Sequence, residues 1–464
     1  MLPKPLLERV LLQALATGGD FAEIFVEDKY STNLNMVGGK LETGLSGRDY
    51  GVGIRILKGF NYVYAYTNDD SEANLLKVAK TAADALVGAQ RDQVIDLTRQ
   101  EITNRHLIER YPHAVSKQDK VALMLRANNA ALNYSSFISQ VRVSYLDEDQ
   151  KVLIANSDGL LVEDRRVRTR CSINAIASKG NEKQVGFYGP GASKGFEFYD
   201  EIDIEDYARE AARIAATMIN ADLCPSGRFP VIIDNEFGGV IFHEACGHSL
   251  EATSVAKKMS VFADRLGEKI ASDVVSAVDD GTIPNAWGSQ NIDDEGTPTR
   301  RNVLIENGIL KSYMIDKLNG RRMGMASTGN SRRQSYRFAP TSRMTNTFIL
   351  PGKHTRDEII AATEFGLLAT YMGGGSVRPA TGEFNFAVRE AYMVRNGRIA
   401  EPVRGATLIG KGSEILHNID MVADNLARGQ GMCGSASGSI PNDVGQPTIR
   451  VSEITVGGRK GAAK

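Results

Sequence analysis

The sequence predicts an α+β protein in two parts. An N-terminal α/β domain of β-meanders with helices is expected over residues 1–222, and a C-terminal β-rich domain, barrel- or sandwich-like with one inserted helix, over residues 229–464. Three observations carry this reading. The chain up to Ile219 twice runs a strand meander into a helix-period segment. A Pro- and Gly-punctuated stretch, Asn220-Ala-Asp-Leu-Cys-Pro-Ser-Gly227, then breaks the pattern. Beyond Val274 the text is mostly strand-like.

The first segment reads as a helix, because Leu6, Leu7, Val10, Leu11, Ala14 and Leu15 share a face and Gly18-Gly19 stops it. Strands are expected over Phe21–Glu27 and Thr32–Val37, with a hairpin turn at Gly38-Gly39. Val52, Ile54 and Ile56 alternate, Lys58-Gly59 turns the chain, and Tyr62, Tyr64 and Tyr66 line the next strand. A helix over Ser71–Val87, with Leu75, Ala79, Ala82 and Leu86 inward, closes this unit. Another begins near Ser116, where Ser116 and Asp119 form a capping-box pattern. The second meander spans Phe137–Tyr188, with turns expected at Asp147–Gln150, Ser157–Gly159 and Lys179–Asn181. A helix over Ile204–Ile219 follows. In the second half Phe229–Ile233 reads as a buried strand and Asp234-Asn235 as a helix cap. Val303–Ile305 and Ile309–Met314 flank Glu306-Asn307-Gly308, an Asn-Gly hairpin signal. Thr355 and Glu358 open a helix that Gly366 is expected to end, and a short helix is expected at Ser413–Leu426.

Composition narrows the class. The chain has 464 residues, 42% hydrophobic and 24% charged, enough for a substantial core. Fifty-five basic and fifty-six acidic side chains leave a formal charge of −1, which argues against a nucleic-acid binder or a polybasic membrane-surface protein. No apolar run approaches the ~18 residues of a membrane span. The start, MLPKPLLERVLLQALATGGD, lacks a signal-peptide layout. Cys171, Cys224, Cys246 and Cys433 are too scattered for a disulfide framework. A soluble, reduced, cytoplasmic protein is expected.

Chemical content concentrates in His243-Glu244-Ala245-Cys246-Gly247-His248. Only six histidines occur, and two flank a carboxylate within this stretch. In the common zinc-peptidase pattern H-E-x-x-H the histidines sit about 40° apart on a helix; here they are five residues apart, about 140°. A bulged turn, or a helix end near Gly247, must therefore bring both rings to one ion. Two imidazoles suit Zn²⁺, and Glu244 is placed to accept a proton from water. This is the inserted metal-binding helix of the C-terminal domain. A catalytic zinc needs a third protein ligand. Glu251, three residues past His248, can reach the same face. Cys433, in the loop Gly429-Gln-Gly-Met-Cys-Gly434, offers a soft thiolate. Spacing leaves these two open. Cys246 is expected to point away, and His354 and His417 read as ordinary histidines.

The chain resembles the TldD branch of the TldD/PmbA metalloprotease family from Gly19-Asp-Phe-Ala-Glu23 to Val456-Gly-Gly458. The similarity is densest in HEACGHSLEA (243–252), DDEGTP (293–298), NVLIENGILKSYMIDKLN (302–319), RMTNTFILPGK (343–353) and GATLIGKG (405–412). The PmbA/TldE branch lacks the H-E-x-x-x-H residues. The resemblance implies a zinc peptidase with His243, His248 and Cys433 as metal ligands and Glu244 as general base. Glu251 then takes a supporting role behind the ligands or in the helix, as does Gly247. It further implies a PmbA/TldE-like paralogue as partner in a heterodimer or larger assembly, an active site facing an enclosed chamber, and unfolded or extended peptides as substrates. One departure is the loop Gly434-Ser-Ala-Ser-Gly-Ser-Ile-Pro441, where relatives often carry a charged residue.

Two other segments need a reading. Six arginines and no acidic residue lie between Gly320 and Arg343. They suit a clamp for carboxylates or phosphates, but a solvated hairpin face or subunit contact is the plainer expectation. Asp293-Asp294-Glu295-Gly296 lacks the spacing of a calcium loop and reads as an acidic turn that positions backbone. The rival from another class is a non-catalytic modulator that binds a protein or nucleic-acid partner through the arginine segment. A second enzymatic rival is a zinc peptidase of the dipeptidyl peptidase III kind, whose third ligand is a downstream glutamate.

Overall fold

A computed structural model describes residues 2–86, 94–378, 380–458 and 460–462. Helix α1 (Lys4–Ala14) buries the expected leucine face. The strands β1 (Phe21–Val37), β2 (Lys40–Lys58) and β3 (Asn61–Thr67) precede α2 (Glu72–Asp84), which shares a core with α1. The expected end of α2 at Val87 lies outside the described residues. After β4 (Thr98–Gln100), α3 (Lys117–Leu132) starts where Ser116 accepts from the Asp119 N–H. Then come β5 (Ile138–Asn156), β6 (Leu160–Lys179), β7 (Glu182–Tyr188), β8 (Gly191–Ala192), α4 (Phe198–Glu201) and α5 (Ile204–Met218).

These strands form one eight-stranded sheet in the order β3-β2-β1-β5-β6-β4, with β7 and β8 on β6. Alternation assigns the faces. Ile24, Val26, Leu34, Val52, Ile54, Val143, Leu153 and Ile173 point to one side, under α1, α2, α3 and α5. The other side carries Glu23, Glu27, Arg55, Arg166 and Arg168, all buried.

Two expected breaks are corrected. β1 is a single 17-residue strand, and β5 runs unbroken through Asp147–Gln150, where a turn was expected. These polar residues pair in register (Thr32↔Asp147, Tyr30↔Asp149), and three of their side chains find partners from neighbouring segments. Lys120 Nζ lies 2.5 Å from Asp147 Oδ2, Arg165 grips Asp149 through two bonds, and Gln150 donates to Glu27 Oε1 at 2.8 Å. A polar run bonded on both strand edges has no reason to turn.

The second half starts at β9 (Asp222–Leu223) and β10 (Pro225–Ile233), followed by α6 (Val240–Ala245) and α7 (Ala252–Val255). Asp234 and Asn235 do not cap: Asp234 is held by Arg356, and the Asn235 amide donates to Asn425 O. β11 (Ala277–Asp280), β12 (Arg301–Glu306), β13 (Ile309–Leu310), α8 (Lys317–Met323), β14 (Ser331–Arg332), β15 (Thr341–Ser342) and β16 (Asn346–Ile349) follow. This half is β-rich as expected, although β13 stops at Leu310, short of Met314, and the stretches 281–300 and 324–340 are mostly irregular. α9 (Arg356–Ala361) has the expected Thr355–Glu358 capping box but ends at Ala361, and Gly366 lies inside β17 (Phe365–Arg378). β18 (Glu383–Arg395), β19 (Arg398–Arg404) and β20 (Thr407–Lys411) lead to α10 (Gly412–Asn418). α10 is shorter than expected because Ile419 starts β21 (Ile419–Val422). β22 (Ala427–Ser435), β23 (Gly438–Gln446), β24 (Ile449–Gly457) and β25 (Lys460–Ala462) complete the chain.

The path β17-β10-β24-β20-β18 closes on itself through β17–β18 pairing, so these strands ring a barrel. A six-stranded sheet, β13-β12-β11-β16-β23-β22, lies beside it. The two share one apolar core, into which α6 is sunk. No helix among the described residues is long and apolar enough to cross a membrane.

The arginine segment is not simply a solvated face: Arg332, Arg333 and Arg343 are buried, Arg321 and Arg322 are half-buried and Arg337 is exposed. Arg333 donates to Glu23 Oε1 at 2.6 Å, and Arg55 joins Glu23 to Glu295. Arg166 binds Asp294, whose other oxygen accepts from the Arg333 N–H at 2.6 Å. Arg321 and Arg337 pair with Asp20 and Asp49, and Arg322 donates to Phe60 O. The acidic turn behaves as a positioning turn: Asp293 accepts from the N–H groups of Glu295, Thr297 and Ser331. Removing one partner of a buried ion pair leaves an uncompensated charge. Glu23→Gln should therefore cost about 3–5 kcal/mol in urea unfolding, while Lys80→Ala, which breaks an exposed pair with Asp84, should leave the midpoint in place.

Candidate metal centre

α6 has only six residues and no side-chain cap, too short to persist alone; burial of Val240, Ile241, Phe242 and Ala245 holds it. At its end α10 approaches so closely that a β-carbon on Gly412 would collide with Ala245 O. The helix stops there. Cys246 leaves helical geometry (φ −126°, ψ −50°), and a 3₁₀ turn covers Gly247–Leu250. This break resolves the five-residue spacing: the rings of His243 and His248 stand 4.9 Å apart and nearly perpendicular. The helix ends just before Gly247, one of the two expected ways to absorb the spacing, and Gly247 itself keeps a negative φ. It is needed because Met344 packs where its β-carbon would be. Hydrogen bonds between Leu250, Met314 and Ala252 pin the far end of the motif.

Cys433 arrives on β22, the edge strand of the six-stranded sheet, paired with Ile440 on β23. His243, His248 and Cys433 each present a ligand atom within 4.8 Å of the others, and among the described residues this is the group that could hold an ion. Cys433 Sγ lies 3.3 Å from His248 Nε2. Glu244 Oε2 is 3.8 Å from the same nitrogen, with its side chain 21% exposed, so the centre opens to one side. Glu251 does not join the trio. Its Oε2 sits 3.1 Å from His248 Nδ1, behind the ring, where it fixes the tautomer that turns Nε2 toward the sulfur. Cys246 is buried away from the trio, His354 lies near Glu358, and His417 is exposed on α10.

The electrostatics suit a cation. Burial, with His248 and Arg343 adding to it, holds His243 far below the ordinary imidazole range, so it is neutral with a free lone pair. Burial opposes a charged His248, but the Glu251 carboxylate and Cys433 outweigh it and set that ring well above its ordinary range. Burial also raises the Glu244 carboxyl, with His248 opposing. Two imidazoles and a thiol around one point are a soft, nitrogen- and sulfur-rich donor set that fits zinc.

Sequence reasoning missed two residues. Asn442 on β23 places its amide 3.0 Å from His243 Nδ1; turned carbonyl-first, it accepts from that nitrogen and leaves Nε2 for an ion. Arg343 is fully buried, and it donates to Cys433 O. A lone asparagine carries no sequence signal, and Arg343 was one of six similar arginines.

Comparison with known proteins gives a consistent picture. Three consecutive segments match models of the PmbA/TldA metallopeptidases: domain 1 over residues 22–86, the central domain over 110–219 and the C-terminal domain over 226–458. A Haemophilus influenzae protein named metalloprotease TldD homolog is 36% identical over 451 residues, covering 95% of this chain and 93% of that protein. Among solved structures, TldE from Thermococcus kodakarensis superposes with a TM-score of 0.77 at 19% identity, covering 97% of this chain and 99% of that one. A candidate modulator of a DNA gyrase from Thermotoga maritima superposes at 0.80 with 22% identity, covering 98% and 99%. At these identities the two structures show a shared fold.

Partners behind metal ligands typically tune affinity about 10–100-fold. Glu251→Gln should weaken metal binding by about that factor in competition with a chelating indicator, and His354→Ala should leave it unchanged.

Proposed function

The chain belongs to the PmbA/TldA (TldD/PmbA) metallopeptidase family, and on that premise we propose that it is a zinc-dependent peptidase hydrolysing unfolded or extended peptides. The observation that carries this reading is the convergence of His243, His248 and Cys433 with Glu244 at their open side. His243, His248 and Cys433 would hold the ion. When bound, zinc supplies Lewis acidity and makes water acidic enough, with a pKa near ~7, to serve as a nucleophile at neutral pH.

The chain's own groups do the rest. Glu244 takes the proton of the attacking water on its carboxylate and passes it to the leaving amine nitrogen. Its burial favours a carboxyl that can hold that proton between the two transfers. Glu251, and Asn442 with its amide turned carbonyl-first, would keep the two imidazoles in the required tautomers. Extended substrates would bind by strand addition at a sheet edge, using backbone bonds with little side-chain demand.

A PmbA/TldE-like paralogue is the proposed partner. The centre of this chain reaches solvent at Glu244, whose side chain is 21% exposed, so an enclosed chamber would need a wall from elsewhere. The likeness to TldE supports that pairing. The modulator alternative is disfavoured, because Arg333, Arg321 and Arg337 are already paired within the chain with Glu23, Asp20 and Asp49. The glutamate-ligand alternative is disfavoured by the position of Glu251 behind His248.

Glu244→Gln should retain zinc and abolish peptide cleavage; surviving activity would remove Glu244 as base. Cys433→Ser should lose metal while Glu251→Gln keeps a reduced share. The reverse pattern would favour a glutamate ligand. With the paralogue present, an unfolded protein should be digested and its folded form spared. Equal digestion of both would count against extended substrates, and full activity of the chain alone would remove the need for a partner.

A further inference from the structure

The metal-peptidase reading names three ligands but leaves open what brings the cysteine to the histidines. We infer that Arg343 is the positioning residue of the metal centre. It clamps the tip of the Cys433 hairpin and faces the carboxylate that orients His248, and so sets where Cys433 Sγ and His248 Nε2 meet. This rests on the three-ligand reading proposed above.

The geometry is a closed ring of contacts. Cys433 Sγ lies 3.3 Å from His248 Nε2, and His248 Nδ1 lies 3.1 Å from Glu251 Oε2. Glu251 Oε1 lies 3.8 Å from Arg343 Nε. Arg343 Nη2 donates to Cys433 O, which closes the ring. Arg343 Nη1 donates to Ser437 Oγ at 3.0 Å and to Gly438 O at 2.9 Å. One guanidinium therefore holds the end of β22, the turn and the start of β23 together.

Both Arg343 Nε and Glu251 Oε1 are buried without any hydrogen bond, aimed toward one another. Arginine is suited to this place because its flat fork presents several donors in fixed directions; a lysine ammonium could satisfy one side of the ring at a time. The Gly434–Ile440 tip offers no charged side chain of its own, so the clamp comes from outside the hairpin.

Cobalt substitution of the full chain tests this. Cobalt(II) reports a thiolate ligand as a near-ultraviolet charge-transfer band and its coordination number in the visible region. The wild-type protein should show the thiolate band. Arg343→Met, with unchanged circular dichroism, should bind cobalt about 10–100-fold more weakly, the scale of residues that orient ligands, and should lose most of that band while keeping histidine-bound cobalt. Arg343→Lys should recover part of the affinity but not the band. If Arg343→Met does not fold, Arg343→Lys and Ser437→Ala carry the test: both should lose less affinity, with the band mostly lost in Arg343→Lys and weakened in Ser437→Ala. A folded variant with wild-type affinity and an intact band would overturn the role of Arg343 alone. A wild-type protein with no thiolate band would overturn the three-ligand reading and this inference with it.

Discussion

Everything in the second half depends on making two histidines five residues apart, and a cysteine 185 residues beyond the second, share one point. No regular element does this. The chain solves it by stopping α6 after a turn and a half and bending at Cys246, and by bringing an edge hairpin across the gap. Each device is weak alone. A six-residue helix and a glycine-rich edge strand are elements that fray, so their positions must be imposed by packing and buried bonds around them.

Those bonds form two tiers. Next to the centre, Glu251, Asn442 and Arg343 orient the ligands. Behind them, Asp279 on β11 accepts from the Thr345 N–H and from the hydroxyls of Thr345 and Thr347, and Asn330 ties it to the backbone of Arg343. Asn330 and Arg343 also bond through their main chains, and the segment that starts there is held by Asp293 and Asp294. That turn is in turn gripped by Arg166 from the N-terminal sheet, and its neighbour Glu295 by Arg55. Burying so many charges adds little net stability, because desolvation offsets most of the attraction. What such a lattice supplies is a single permitted arrangement, which a metal site assembled from distant segments requires.

Legibility followed the range of the forces. Helices and hairpins set by local signals were readable: the leucine face of α1, the Gly38-Gly39 and Lys179–Asn181 turns, and the Thr355–Glu358 box. The H-E-x-x-x-H stretch was also readable, together with the need for a helix break near it. Asp147–Gln150 was misread because its polar residues are answered by Lys120, Arg165 and Glu27, none of which is adjacent in sequence. The arginine segment failed for the same reason. Its acids lie at Glu23, Asp49 and Asp294, so the local text looks unpaired and therefore exposed. Spacing could not choose between Glu251 and Cys433, because that choice turns on which nitrogen of His248 each one faces.

The hairpin shows why the N-terminal sheet belongs to the centre and is not an appendage. Three carbonyls along β22 accept from side chains: Gln430 from Arg170, Gly431 from Trp287 and Cys433 from Arg343. Glycine at 429, 431 and 434 keeps that stretch of backbone bare enough for large side chains to reach it. Arg170 stands on β6, two residues along the same face from Arg168, whose guanidinium donates to Trp287 O. Trp287 is thus held by the N-terminal sheet on one side while it holds the cysteine strand on the other. A strand fastened at three successive points cannot slide by a residue, and a slip of one residue would turn Cys433 to the opposite face. The thiol keeps its register because a sheet from the other half of the chain reads the backbone beside it.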